Sequence, residues 1–132
     1  TRFRNVTGVQ TCALPILRAE LTAGLVAIGG VRPTVPESAS VPGILHVCIE
    51  GVENEALLYL LDEADVCASA ASACASGAME PSHVLAAMGV PIDLARGALR
   101  LSLGHTTTHD EVRTAIDVIG SAVTRLRSHA RH

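Results

Sequence analysis

The chain has 132 residues, enough for one domain with a real core, and 48% of them are hydrophobic. Its only aromatic residues are Phe3 and Tyr59, so the core must be built from Leu, Val, Ile and Ala. The formal net charge of −3, without a basic cluster in the body of the chain, argues against nucleic acid as the main partner. No apolar run approaches the roughly 18–20 residues of a membrane span.

The ten basic residues are all arginines, because the chain contains no lysine. This excludes any chemistry in which these residues themselves supply an amine for a Schiff base. The four cysteines are irregularly spaced and no credible signal peptide precedes them, which favours reduced thiols in a cytoplasmic protein. They are Cys12, Cys48, Cys67 and Cys74.

The stretch 6–16 resembles the translation of a common sequencing adapter. We therefore predict that residues 1–16 are a non-native segment without a selected fold, in which Cys12 has no role. A short signal sequence fits less well, because Pro15 interrupts its apolar patch. On this interpretation the native sequence begins near Leu17, inside a helix.

The first half of the native part is predicted to contain two helices and a strand. Apolar residues at helical spacing predict a helix over 17–28, and the three prolines of 31–43 predict a loop. Residues 44–50 alternate as a strand does, and 53–64 reads as a leucine-rich helix. The apolar face of the strand comprises Leu45, Val47 and Ile49.

The second half is predicted to alternate in the same way. We expect a short strand over 65–69, a helix over 81–88 and a strand over 98–103. Thr108 and Glu111 form a capping-box pattern at the start of a final helix, whose apolar stripe is Val112, Ala115, Ile116, Ile119, Val123 and Leu126. This order predicts an α/β (α+β) domain in which helices cover a small sheet of about three strands.

Cys74 is the first candidate for chemistry. It lies among small uncharged residues in 68–78, which predicts a mobile loop over 68–80. A thiol on such a loop suits a reaction in which sulfur must travel, although an Ala/Ser-rich linker with an incidental cysteine has the same composition. Because a free thiol has a pKa of about 8.5, activation of Cys74 must come from a substrate, a cofactor or His83.

Arg100 is the second candidate. It lies on the strand face opposite the leucine row, with small neighbours, so its guanidinium could offer two parallel donors to a carboxylate. A solvated charge on an amphipathic strand would give the same pattern.

The other polar residues suggest less. Cys67, Cys74 and His83 match no zinc module, so no metal site is predicted. Cys48 and Cys67 lie in predicted strands, where we expect them to be small and buried. Ordinary surface or core positions are expected for His46, His105 and His109.

Several stretches resemble the C-terminal part of cysteine desulfurases, which are pyridoxal-phosphate enzymes of the aminotransferase class-V type. The similarity runs from about residue 17 to residue 126, with the motifs in the family's order. The matching stretches are 41–47, 51–58, 72–77, 80–85 and 96–104.

The resemblance implies that 17–132 form the C-terminal small domain of such an enzyme. Cys74 would take the sulfur of L-cysteine as a persulfide and leave L-alanine, and Arg100 would hold the substrate's α-carboxylate. It also implies a cytoplasmic, homodimeric parent with pyridoxal phosphate as cofactor. The mobile loop would pass the persulfide to an acceptor, such as an iron–sulfur scaffold protein or a thiolation pathway.

The family's cofactor lysine belongs to a large domain that precedes this region. We therefore expect no cofactor-binding residues in this chain and no turnover by the chain alone. Two alternatives stay open. One is a stand-alone sulfur-carrier or docking module, and the other is an enzyme of the same fold and cofactor that acts on selenocysteine.

Overall fold

The computed structural model describes residues 2–39, 41–70 and 83–130. Its strands are β1 (Val31–Pro33), β2 (Ile44–Ile49) and β3 (Ala98–Ser102), and residues Glu37–Ala39 form a short 3-10 turn. Its helices are α1 (Arg2–Val26), α2 (Asn54–Glu63), α3 (His83–Ala87), α4 (Ile92–Ala95) and α5 (His109–Ala130).

The three strands form one antiparallel sheet in the order β1-β2-β3. The predicted small sheet covered by helices is therefore confirmed. Strand β1 was predicted to be loop, and that prediction is wrong. Its Pro33 lies on an edge strand, where a missing N–H costs little, so proline does not exclude pairing there.

The main core lies on one face of the sheet. The predicted alternation of β2 is confirmed, because Leu45, Val47 and Ile49 are almost fully buried on this face. Leu99 of β3 lies beside them, and the apolar sides of α1, α2 and α5 pack against the sheet.

A smaller cluster lies on the opposite face. Cys48 and Ala98, which are paired across β2 and β3, are covered there by Leu85 of α3 and Ala95 of α4. These two short helices cover one end of the face only. The next cross-strand pair, His46 and Arg100, is half-buried and exposed, respectively.

A close backbone contact fixes where β3 begins. The Ile49 N–H donates to the Gly97 carbonyl at 2.9 Å, and a Cβ on residue 97 would stand 1.9 Å from the Ile49 carbonyl oxygen. The Asn54 N–H donates to the carbonyl of Arg96 at 2.8 Å. Glycine at position 97 therefore lets β3 enter the sheet beside β2.

Helix α5 begins as predicted. The Glu111 N–H donates to the Thr108 hydroxyl and the Thr108 N–H donates to the Glu111 carboxylate, both at 3.1 Å. Near its other end, the Arg127 guanidinium donates two bonds to the carbonyl of Glu50, at 2.7 and 2.9 Å. These contacts attach α5 to the end of β2.

Three parts of the predicted secondary structure need correction. Helix α1 begins at Arg2 rather than at Leu17, so the backbone of the segment predicted to be non-native continues the helix; the origin of that segment stays a prediction. Residues 65–69 form a single bridge at Ser69 instead of a strand. The short helix α4 was not predicted. Over the ranges the structure covers, no helix combines the length and apolarity needed to cross a bilayer.

Candidate functional site

Arg100 lies in the middle of β3 with its side chain on the face away from the main core. Its neighbours Leu99 and Leu101 are buried on the other face, so the predicted separation of the charge from the leucine row is confirmed. In the part of the chain that the structure describes, no carboxylate forms an ion pair with Arg100. The guanidinium is therefore available to an anionic ligand.

The segment that leads toward Cys74 is attached to this same residue. The Ser69 N–H donates to the Arg100 carbonyl at 3.0 Å, and the Arg100 N–H donates to the Ser69 carbonyl at 2.7 Å. Cys74 itself lies outside the described residues, so its predicted role as nucleophile stays a prediction.

His46 is the cross-strand partner of Arg100 on the other side. Its Nδ1 lies 2.5 Å from the hydroxyl oxygen of Thr34, whose N–H donates to the His46 carbonyl at 2.9 Å. Burial, and secondly the positive charge of Arg100, lowers the pKa of His46 from its ordinary value of 6.5. The ring is therefore neutral at physiological pH.

Cys48 contacts the same hydroxyl from the next position along β2. Its Sγ lies 3.8 Å from the Thr34 oxygen, and its side chain is buried as predicted. Burial raises the pKa of the Cys48 thiol. Cys48 is therefore a protonated thiol at neutral pH.

Cys67 was expected to be buried, and that prediction is wrong. Its side chain is exposed, because the segment after α2 makes a left-handed turn at Asp65, with φ of 62°, and no strand carries Cys67 into the sheet. Within the described ranges, no three His, Cys, Asp or Glu side chains gather closely enough to hold a metal ion.

The structure thus places Thr34, His46, Arg100 and Ser69 in one row across the sheet. Sequence reasoning identified Arg100 but treated His46 as an ordinary histidine and did not consider Thr34. The polar alternation of β2 placed His46 on the correct face. Its pairing with Arg100 depends on the register of two strands more than fifty residues apart, which local sequence does not specify.

Comparison with known proteins gives consistent matches. Residues 14–114 match the aminotransferase class-V family. A cysteine desulfurase of Cereibacter sphaeroides is 41% identical over 117 residues, which cover 88% of this chain and 30% of that protein. An IscS-like cysteine desulfurase of Mycobacterium tuberculosis is 49% identical over 88 residues, covering 67% of this chain and 22% of that protein.

Solved structures agree with these relatives. A NifS-like protein superimposes with a TM-score of 0.75 at 27% identity, covering 89% of this chain and 29% of that one. A NifS-like protein of Rickettsia africae gives a TM-score of 0.69 at 25% identity, covering 83% of this chain and 28% of that one. The chain therefore spans less than a third of the length of each of these relatives.

Proposed function

Because this chain belongs to the aminotransferase class-V family, we propose that it is the substrate-binding and sulfur-accepting part of a cysteine desulfurase. Arg100 holds the α-carboxylate of L-cysteine, and the Cys74 thiol receives the sulfur. The carbon–sulfur bond of the substrate breaks and a sulfur–sulfur bond forms on Cys74. The thiol proton replaces sulfur on the substrate's β-carbon, so the products are L-alanine and a Cys74 persulfide.

The observation that carries this proposal is the pairing of Ser69 with Arg100. Cys74 follows Ser69 by five residues in the sequence, and five residues span at most about 18 Å of extended chain. The thiol is therefore covalently restricted to the neighbourhood of the guanidinium. A carboxylate held by Arg100 would bring the rest of a small amino acid within that range.

Pyridoxal phosphate, which the family implies, does not fit the residues of this chain. The chain has no lysine to bind the cofactor covalently. Helices α2 and α5 carry Glu55, Asp110 and Glu111 in their first turns, and these carboxylates repel a phosphate. We therefore assign the chain no cofactor-binding residues and derive no step through the cofactor.

We extend the proposal to the whole enzyme because the chain's motifs resemble those of cysteine desulfurases, the name that its relatives carry. The enzyme would be a cytoplasmic homodimer that uses pyridoxal phosphate. Its persulfide would supply iron–sulfur cluster assembly or thiolation. The chain by itself would bind the substrate's carboxylate without turning it over.

A chimeric enzyme tests the proposal. Residues 17–130 of this chain would replace the matching part of the Cereibacter sphaeroides desulfurase, which is 41% identical over 117 residues. We expect the chimera to form sulfide and alanine from L-cysteine in the presence of a reductant. Cys74→Ser should abolish this while the cofactor's absorbance stays unchanged, and Cys67→Ser, which removes an exposed thiol, is the matched control.

Full activity of the Cys74→Ser chimera would refute the assignment of the nucleophile. The same assay with selenocysteine in place of cysteine separates the two substrates. If the intact chain instead gains sulfur on Cys74 only when a complete desulfurase is added, it acts as a carrier and the proposal is wrong.

A further inference from the structure

The row of polar residues across the sheet contains a group that the proposed reaction has not used. His46 lies directly opposite Arg100, and its ring is held from one side by the Thr34 hydroxyl. We propose that His46 is a positioning residue that donates an Nε2–H hydrogen bond to the same carboxylate that Arg100 holds. This inference rests on the proposed function, because it concerns the same substrate.

The proton on the ring follows from the Thr34 hydroxyl. That oxygen lies between two partners, His46 Nδ1 at 2.5 Å and Cys48 Sγ at 3.8 Å. A hydroxyl carries one proton, and an imidazole nitrogen accepts it far better than a thiol sulfur does. We therefore assign Thr34 as donor to Nδ1 and as acceptor from the protonated Cys48 thiol, which leaves the ring proton on Nε2.

The position of the ring directs that proton. Nδ1 faces Thr34 on the β1 side, and the two nitrogens of an imidazole lie on different edges of the ring. The proposal therefore places Nε2 on the side of β3 and Arg100, the cross-strand partner of His46. Among the described residues Nε2 has no hydrogen-bond partner, so the donor is free for a ligand.

A carboxylate can satisfy both groups at once. Its two oxygens offer about four lone-pair sites, two of which the guanidinium fork occupies. A neutral imidazole adds a third bond without adding a second positive charge beside Arg100. A bidentate pair with Arg100 alone leaves the carboxylate some freedom to rotate. The third hydrogen bond, from the ring nitrogen, thus fixes its orientation.

The tautomer can be tested on the 132-residue chain alone. Long-range proton–nitrogen spectra of the imidazole at pH 7.5 should show a neutral His46 with its proton on Nε2. In Thr34→Val the two tautomers should become mixed. If the proton lies on Nδ1 in the unaltered chain, the assignment is wrong. This result does not depend on whether the proposed function is correct.

The contact with the carboxylate is tested in the chimera. His46→Ala should raise KM for L-cysteine about tenfold, as expected for a hydrogen bond to a charged group, and should change kcat less than threefold. His46→Gln, which restores an N–H donor, should recover most of the loss. Thr34→Val should raise KM by a smaller factor, because the ring is released.

Arg32 supplies the matched control, since it lies on the same face opposite Cys48 and is exposed. Arg32→Ala should leave KM unchanged. An equal rise of KM in Arg32→Ala would show that the effect is not specific to His46 and would overturn the inference. An unchanged KM in His46→Ala would also overturn it, while an active chimera would leave the proposed desulfurase function intact.

Discussion

Ser69, which lies outside the three strands, exchanges two backbone hydrogen bonds with Arg100 of β3, at 3.0 and 2.7 Å. This bridge ties the start of the segment that leads to Cys74 to the strand residue that carries the guanidinium. The bridge therefore fixes the chain at a point five residues before Cys74 beside the proposed carboxylate site. The charge at position 100 and the bridge can be tested separately, because the bridge uses main-chain atoms only.

Replacement of Arg100 should weaken substrate binding more than it slows the chemistry. In the chimera, Arg100→Ala should cost about 2 kcal/mol of binding free energy, which is a roughly 30-fold rise in KM for L-cysteine. Arg100→Lys keeps the charge but loses the planar fork, so its KM should lie between those of the unaltered chimera and Arg100→Ala. A KM unchanged in both variants would show that Arg100 faces solvent without binding the substrate.

Gly97 should not tolerate a side chain. Because a Cβ there would lie 1.9 Å from the Ile49 carbonyl oxygen, Gly97→Ala must push β3 away from β2. We expect a loss of about 1–3 kcal/mol or more in the free energy of unfolding, measured by urea denaturation of the chain.

Gly104→Ala is the matched control for this experiment. The nearest atom to a Cβ at that position is the Thr107 hydroxyl oxygen, 4.0 Å away, so the change should be nearly neutral. Equal stability of the two variants would contradict the described junction between residue 97 and β2.

The stability of the chain should depend on the protonation of His46. Burial and the charge of Arg100 lower the pKa of His46 below 6.5 in the folded chain, so the unfolded chain binds the proton more tightly. The stabilisation is therefore present above pH 6.5 and is lost as the pH falls through the lowered pKa. Between pH 7.5 and 5, the unaltered chain should lose more unfolding free energy than His46→Gln.

Arg100→Gln refines this test. The charge of Arg100 is the smaller of the two causes that lower the pKa of His46. Its removal should therefore reduce the loss of unfolding free energy at low pH without abolishing it. Urea denaturation at each pH measures all three proteins. Identical pH profiles for the unaltered chain and His46→Gln would show that the ring is not held neutral by the fold.

The cysteines should differ sharply in reactivity. Burial raises the pKa of the Cys48 thiol, whereas Cys67 is exposed. Iodoacetamide at pH 7.5 should therefore modify Cys67 well before Cys48, as read by peptide mass spectrometry. In urea the two rates should converge, and rapid modification of Cys48 in the folded chain would contradict its burial.

The elements with strong local signals were predictable. The alternation of β2 and β3 and the Thr108–Glu111 capping box each depend on residues close together in the sequence, and all three are confirmed. The alternation also placed Arg100 on the correct face. Strand β1 was missed because it has only three residues, the last of them a proline. Its strand conformation depends on pairing with β2, which the local sequence does not show.

The composition of the site was less predictable than its elements. That His46 lies opposite Arg100, and that Thr34 binds both His46 and Cys48, follows from the register of three strands. Such register is set by the whole core and by close contacts such as that of Gly97. Local patterns therefore identified the charged residue of the site but not the neutral ones that surround it.

The destination of the sulfur tests the central claim most directly. The chimera would be mixed with isotopically labelled L-cysteine, trapped by alkylation without reductant and digested for mass spectrometry. We predict one added labelled sulfur on Cys74, located by fragmentation of its peptide and removed by a thiol reductant, and none on Cys48 or Cys67. Labelled sulfide released without any label on Cys74 would contradict the account.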